Sequence, residues 1–147
     1  FRNEVVTVAM SGILGRQNMA RMLDQMRSTP PREIGGLAVT ATEDLRDEHG
    51  RLGPFKGATD RAARNFLLFT LGDRARIALR PSGTEPKAKA YIEVHSAPRP
   101  FGMAEQEWQA SCRAVDEQIR QVAVDFLRQA LGLVGLEMPK EGVRLSR

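Results

Sequence analysis

Between Arg76 and His95 the chain alternates apolar and polar residues on either side of one interruption, Pro81-Ser82-Gly83-Thr84-Glu85-Pro86. A period of two belongs to strands half buried in a sheet, because successive side chains leave opposite faces. Ile77 and Leu79 therefore share one face, and Arg76 and Arg80 share the other. Beyond the interruption, Ala88, Ala90, Ile92 and Val94 form an apolar face; Lys87, Lys89, Tyr91, Glu93 and His95 form a polar one. Two such strands burying their apolar faces against the same helices put Arg80, Lys87 and Lys89 on one open side, so positive charge converges there.

The neighbouring segments supply the rest of such a sheet and its cover. Phe66 to Leu71 reads as a strand joined through Gly72 and Asp73 to the strand at Arg76–Leu79, and Val5, Val6, Val8 and Ala9 read as a first strand. Ser11 and Gly12 stand where a helix begins, and Ile13 to about Arg27 carries Met19, Met22, Leu23 and Met26 at helical spacing before Pro30 and Pro31 end it. Ile34 to Leu45 contains a second strand with Leu37, Val39 and Ala41 on one face. Residues 46–64 are polar and irregular and are expected to form a mobile loop; Lys56, Arg61 and Arg64 would bring charge to a ligand only if it folded over the site. After Pro98 and Pro100, a stripe of Trp108, Cys112, Val115, Ile119, Val122 and Phe126 marks a long core-facing helix, and 133–147 reads as an incompletely ordered C-terminal tail. The expected architecture is one α+β domain over 1–147, an antiparallel sheet of four to five strands with two helices packed on one face.

The interruption itself carries chemistry. Arg80 offers a planar fork of N–H donors that matches two phosphate oxygens at once, Ser82 and Thr84 add hydroxyls, and Gly83 lets the backbone approach an oxygen as in an anion-binding nest. Pro81 and Pro86 stiffen both shoulders, which limits the entropy lost on binding. The rival reading is a plain turn, since Pro, Ser and Gly favour turns for local reasons.

The net charge of +4 and pI of about 9.8 favour anionic partners, whether phosphorylated metabolites or nucleic acid, although the arginines are scattered among acids. Cys112 is the sole cysteine, and with His49 and His95 as the only imidazoles nothing has metal-ligand spacing. Asp44, Asp47 and Glu48 fit no EF-hand pattern and read as a solvated turn. Neither a membrane-length apolar run nor a signal peptide is present, and the expected setting is cytoplasmic.

The run from Arg76 to Val94, with Arg80-Pro81-Ser82-Gly83-Thr84-Glu85-Pro86-Lys87 at its centre, resembles the phosphate-binding loop and flanking strands of the α-D-phosphohexomutase superfamily, within it the phosphoglucomutase and phosphomannomutase group. The resemblance implies a fold like the TATA-box-binding protein and a place as the last of four domains. It also implies a reaction interconverting hexose 1- and 6-phosphates through a phosphoserine and a bisphosphate, with Mg2+ held in the other domains. Carried over by position, Arg80, Ser82, Gly83, Thr84 and Lys89 contact the substrate phosphate, with Glu85 and Lys87 as further substrate-binding candidates. Lys89 falls where many members place an arginine, which keeps the charge but not the fork. The resemblance implies that this chain holds the non-reacting phosphate; the family's serine context, Thr-Ala-Ser-His-Asn, and its Asp-Gly-Asp metal motif do not occur here, so it is expected to carry no catalytic or metal-binding residues of its own. The implied partners are a phosphorylated hexose and the remaining domains of a parent enzyme.

Two alternatives accompany that reading. One is a phosphoglucosamine or phosphopentose mutase domain, because the loop reads phosphate rather than sugar. The other is a basic nucleic-acid-binding module, for which Tyr91 is the only obvious stacking aromatic beside a basic strand.

Overall fold

The structure, a computed structural model, describes residues 1–143 and 145. In chain order the elements are β1 (Arg2–Ala9), α1 (Gly15–Ser28), β2 (Glu33–Ile34), β3 (Leu37–Ala38), β4 (Ala41–Asp44), α2 (Ala58–Ala63), β5 (Leu67–Leu71), β6 (Ala75–Pro81), β7 (Lys87–Val94) and α3 (Glu105–Gly132). Five strands form one antiparallel sheet in the order β1-β7-β6-β5-β4. Helices α1 and α3 bury their apolar stripes in the same core as one face of that sheet, so the fold is α+β. No helix among the described residues is long and apolar enough to cross a membrane.

The period of two is realised residue by residue. Ile77, Leu79, Ala88, Ala90, Ile92 and Val94 are buried, and Arg76, Arg80, Lys87 and Lys89 are exposed on the other face. Met19, Met22, Leu23 and Met26 bring α1 onto the core. Along α3 the buried stripe starts at Val115 and runs through Ile119, Val122 and Phe126 to Leu131, whereas Trp108 and Cys112 are only half-buried. Phe126 meets Phe69 of β5 with ring centroids 5.9 Å apart, a tilted pair that joins helix to sheet and adds about 0.5–1.5 kcal/mol to what burial contributes.

Three segments depart from the reading by pattern. The expected strand within 34–45 is a β2–β3 hairpin followed by the separate edge strand β4. Gly35 and Gly36 both have left-handed backbone, φ 59° and 79°, which is what a two-residue hairpin turn demands. Asp125 and Gln118 of α3 hold the turn, the carboxylate accepting from Gly35 N–H at 2.8 Å and the amide donating to Gly35 C=O at 3.0 Å. Leu37 and Val39 pack against the core while Ala41 is exposed, so these residues do not share one strand face.

Residues 46–64, expected as an irregular loop, contain α2 and are organised by Arg64. Its guanidinium donates to the carbonyls of Gly53 at 2.6 Å and of Leu52 and Pro54 at 3.3 Å, and it pairs with Asp60 at 2.9 Å. The face of Phe55 lies 5.2 Å away, and Arg64 is buried beneath this segment. The tail beginning at residue 133 folds back, with Leu133, Val134, Met138, Val143 and Leu145 packed against the core because those apolar side chains find uncovered surface there. Residues 144, 146 and 147 of that expected tail lie outside the described residues.

Candidate functional site

β6 ends at Pro81 and β7 starts at Lys87, leaving a tight loop between paired strands. Ser82 N–H donates to Lys87 C=O at 2.8 Å and closes the base, and Lys87 N–H donates to Glu85 C=O at 2.7 Å. Met10, just past β1, donates its N–H to Pro86 C=O at 2.9 Å and ties the loop to the neighbouring strand. Inside the loop, Thr84 N–H and Glu85 N–H both donate to Ser82 Oγ, at 3.3 and 3.2 Å. A serine hydroxyl has two acceptor sites and one proton. With both acceptor sites used, the proton is what Ser82 still has to offer, and Thr84 Oγ1, 3.5 Å away, can receive it only at the outer limit of hydrogen-bond distance.

Gly83 differs from a nest glycine. Its φ lies outside the left-handed region, and a Cβ built there would meet nothing within 4 Å. The loop therefore folds without needing glycine. What the missing side chain leaves is a bare wall, and among the described residues Gly83 N–H has no acceptor.

The charges around the loop sort into used and unused. Arg80 and Lys89 sit directly opposite each other on β6 and β7, and Thr7 of β1 faces Lys89 from the other side. Among the described residues the side chains of Arg80 and Lys89 have no ion pair or hydrogen bond within the protein. Lys87 is different, because its Nζ lies 2.8 Å from a Glu85 carboxylate oxygen. Hydrogen bonding and charge from Lys87 hold the exposed Glu85 carboxyl below its ordinary value. Glu85 thus offsets Lys87, and the uncompensated charge of the expected trio is that of Arg80 and Lys89.

Two clefts flank the loop, with Ser82, Gly83 and Glu85 as the wall between them. The sheet-side cleft, about 540 Å³, is lined by Thr7, Arg80, Lys87, Lys89 and Tyr91. The helix-side cleft, about 280 Å³, is lined by Arg16, Asp24, Arg27, Arg46 and Thr84. Thus Arg80, Ser82, Gly83 and Lys89 converge on one cavity, and Thr84 lines the other. On the helix side Arg27 is already engaged by Asp44 at 3.2 Å and Asp24 at 3.5 Å, and Arg16 by the Thr84 carbonyl at 3.1 Å. Arg46 is pushed below the ordinary arginine value by partial burial and then by the charge of Arg27, with Asp44 acting the other way. Arg46 makes no ion pair among the described residues, so what distinguishes the sheet side is that its two unpaired cations, Arg80 and Lys89, face each other on adjacent strands.

Lys56, Arg61 and Arg64 line neither cleft. Arg64 is committed to the carbonyls described above, and Arg61 stacks 5.8 Å from the Phe55 ring. Thr7 and Arg16 are the site residues that the pattern did not single out. Thr7 carries only the signal of alternating with the buried Val6 and Val8, and Arg16 carries none, being one arginine among many. Asp44 and Asp47 are occupied, accepting from Arg46 N–H at 3.0 Å and His49 N–H at 2.9 Å. Among the described residues no group of three or more His, Cys, Asp or Glu is placed to hold a metal ion.

Residues 38–110 match the family described as phosphoglucomutase/phosphomannomutase, C-terminal domain. The phosphoglucomutases of Staphylococcus aureus strains N315, Mu50 and bovine RF122 are each 37% identical to this chain over 86 residues. That match covers 58% of this chain and 16% of each relative, so the chain corresponds to a small part of those proteins.

Proposed function

Because the chain, through residues 38–110, belongs to the phosphoglucomutase/phosphomannomutase C-terminal domain family, we propose that it binds the phosphate group of a hexose phosphate in the sheet-side cleft. The observation that carries this reading is the pairing of Arg80 with Lys89 across β6 and β7, without carboxylate partners, beneath a loop whose Gly83 N–H has no acceptor among the described residues and whose Ser82 proton meets Thr84 Oγ1 only at 3.5 Å. A phosphate dianion accepts hydrogen bonds and donates none, which complements that set. Arg80 supplies the bidentate fork, Lys89 a point charge, and Ser82 and Gly83 the short directional bonds. Thr84 contributes through its hydroxyl contact with Ser82 rather than from within the cleft.

In this reading the chain is the phosphate-gripping part of a longer isomerase that moves a phosphoryl group between the 1- and 6-positions of a hexose. It holds the phosphate that is not reacting, and because it touches phosphate and not ring carbons it accepts either end of a bisphosphorylated intermediate. Ser82 acts as a donor and not as the nucleophile: backbone N–H groups fill its acceptor sites, and among the described residues no histidine or carboxylate accepts its proton. The phosphoserine belongs to the remaining domains. So does Mg2+, which would neutralise phosphoryl charge. A cytoplasmic setting goes with this chemistry.

NMR titration of the chain with glucose 1-phosphate tests the reading. Saturable shifts of the Gly83 and Thr84 amides are expected, and Arg80→Ala should weaken binding about tenfold or more, the loss of one charge-assisted contact. Unchanged affinity in Arg80→Ala would remove the assignment.

A further inference from the structure

Arg16 stands outside the cleft that the proposed phosphate occupies, yet it makes a side-chain contact that reaches the loop tip from another element. Its Nη2 donates to Thr84 C=O at 3.1 Å. In a trans peptide the carbonyl and the next N–H point in opposite directions from one plane, and the described chain has no cis bond. The N–H at the far end of the Thr84–Glu85 plane is the one that donates to Ser82 Oγ at 3.2 Å. One peptide plane is thus held at both ends, by Arg16 on the helix side and by the serine oxygen on the other.

We propose that Arg16 is a positioning residue for phosphate binding, holding the Thr84–Glu85 peptide so that Ser82 presents its proton outward as a fixed donor. This rests on the phosphate reading above. If the peptide rotates, Glu85 N–H leaves the serine oxygen, an acceptor site reopens, and the hydroxyl is free to turn its proton away from the cleft. The fold aims Arg16 from a rigid base: it occupies the first turn of α1, whose buried Met19, Met22, Leu23 and Met26 fix the helix against the sheet. The Met10–Pro86 bond draws the start of that helix up to the loop. Arg16 touches neither Arg80 nor Lys89, so its effect passes through backbone geometry.

The test uses this chain as wild type, Arg16→Ala and Arg16→Lys, with glucose 1-phosphate as probe. Glu85 amide exchange is measured without ligand, and affinity is measured at low salt and at about 0.5 M salt, where exposed charges are screened. Arg16→Ala is expected to speed Glu85 exchange about tenfold and to weaken the sugar phosphate about fivefold at both salt concentrations, less than the loss of a direct charge-assisted contact because Arg16 does not touch the ligand. Arg16→Lys, with a single flexible ammonium, should recover part of each. Glu85 exchange unchanged in Arg16→Ala overturns the proposal. So does an affinity loss that vanishes at high salt and is fully restored by lysine, because Arg16 would then act only as a distant charge. A wild-type chain with no affinity for glucose 1-phosphate would overturn the phosphate reading, while Glu85 exchange would still report whether the clamp exists.

Discussion

Replacing Gly83 by alanine should stabilise the fold and weaken the ligand, two effects that a merely structural glycine would not produce together. At Gly83 the backbone is outside the left-handed region and the new methyl would meet nothing within 4 Å. With neither strain nor clash, the dominant effect is a less flexible unfolded chain, about 0.4–1 kcal/mol in favour of the folded state. For a chain of this size that is an increase in Tm of about 1–4 °C. The same methyl would stand between Gly83 N–H and a phosphate oxygen; losing that charge-assisted bond costs about 1.5–3 kcal/mol, a rise in Kd of roughly ten- to a hundredfold. Gly35→Ala provides the contrast. There φ is 59° and the methyl would lie 2.7 Å from Val122 Cα and N in α3, so left-handed strain and overpacking should together destabilise by about 2–4 kcal/mol. Thermal melts of both variants, and calorimetric titration of Gly83→Ala with glucose 1-phosphate, measure these quantities. A lower Tm in Gly83→Ala, or an unchanged Kd, would refute the reasoning.

Arg64→Met should open the segment around residues 50–60 without unfolding the core, because the carbonyls of Leu52, Gly53 and Pro54 lose a shared donor that lies under a surface segment; limited proteolysis should cut there in the variant and spare the wild type. Acid should loosen the same segment first. The Asp60 carboxyl is held below its ordinary value chiefly by the Lys56 N–H bond and also by Arg64, so its contribution to stability is present above the unfolded value of about 3.8 and is lost as pH falls below that through the folded value. Faster exchange of the Lys56 amide on that descent, ahead of global unfolding, is the expected result.

How far the chain can be read without coordinates depends on whether a residue's role is local. Alternation from Arg76 to Val94 survives translation into structure because strand parity is a property of the backbone alone, and the methionine spacing of α1 does so for the same reason. Gly35-Gly36 was hidden because Leu37 and Val39 continue a period of two across a chain reversal, so alternation alone could not reveal the turn. Arg64 has the same sequence appearance as a solvated arginine; only the return of the 52–54 carbonyls to it makes it a buried hub. Thr7 reaches Lys89 and Arg16 reaches Thr84 through strand order and helix placement, which no local pattern encodes. The loop's place between two paired strands was legible, whereas its position between two clefts, with Thr84 lining one and Arg80 the other, required the folded backbone.

Two like charges facing each other across an antiparallel pair destabilise a sheet by roughly 0.2–1 kcal/mol. Further along the same two strands, on the same face, Arg76 faces Glu93 and closes an ion pair at 2.8 Å. The sheet thus carries a matched pair at one level and a mismatched one at the level of Arg80 and Lys89. A carboxylate at either of the latter positions would make a sturdier domain and, on the proposed function, weaken phosphate binding. The facing of Arg80 and Lys89 is in this sense a small built-in defect of the fold, and the phosphate proposed to bind there would act as the missing half of a cross-strand pair, so that binding and folding stability rise together.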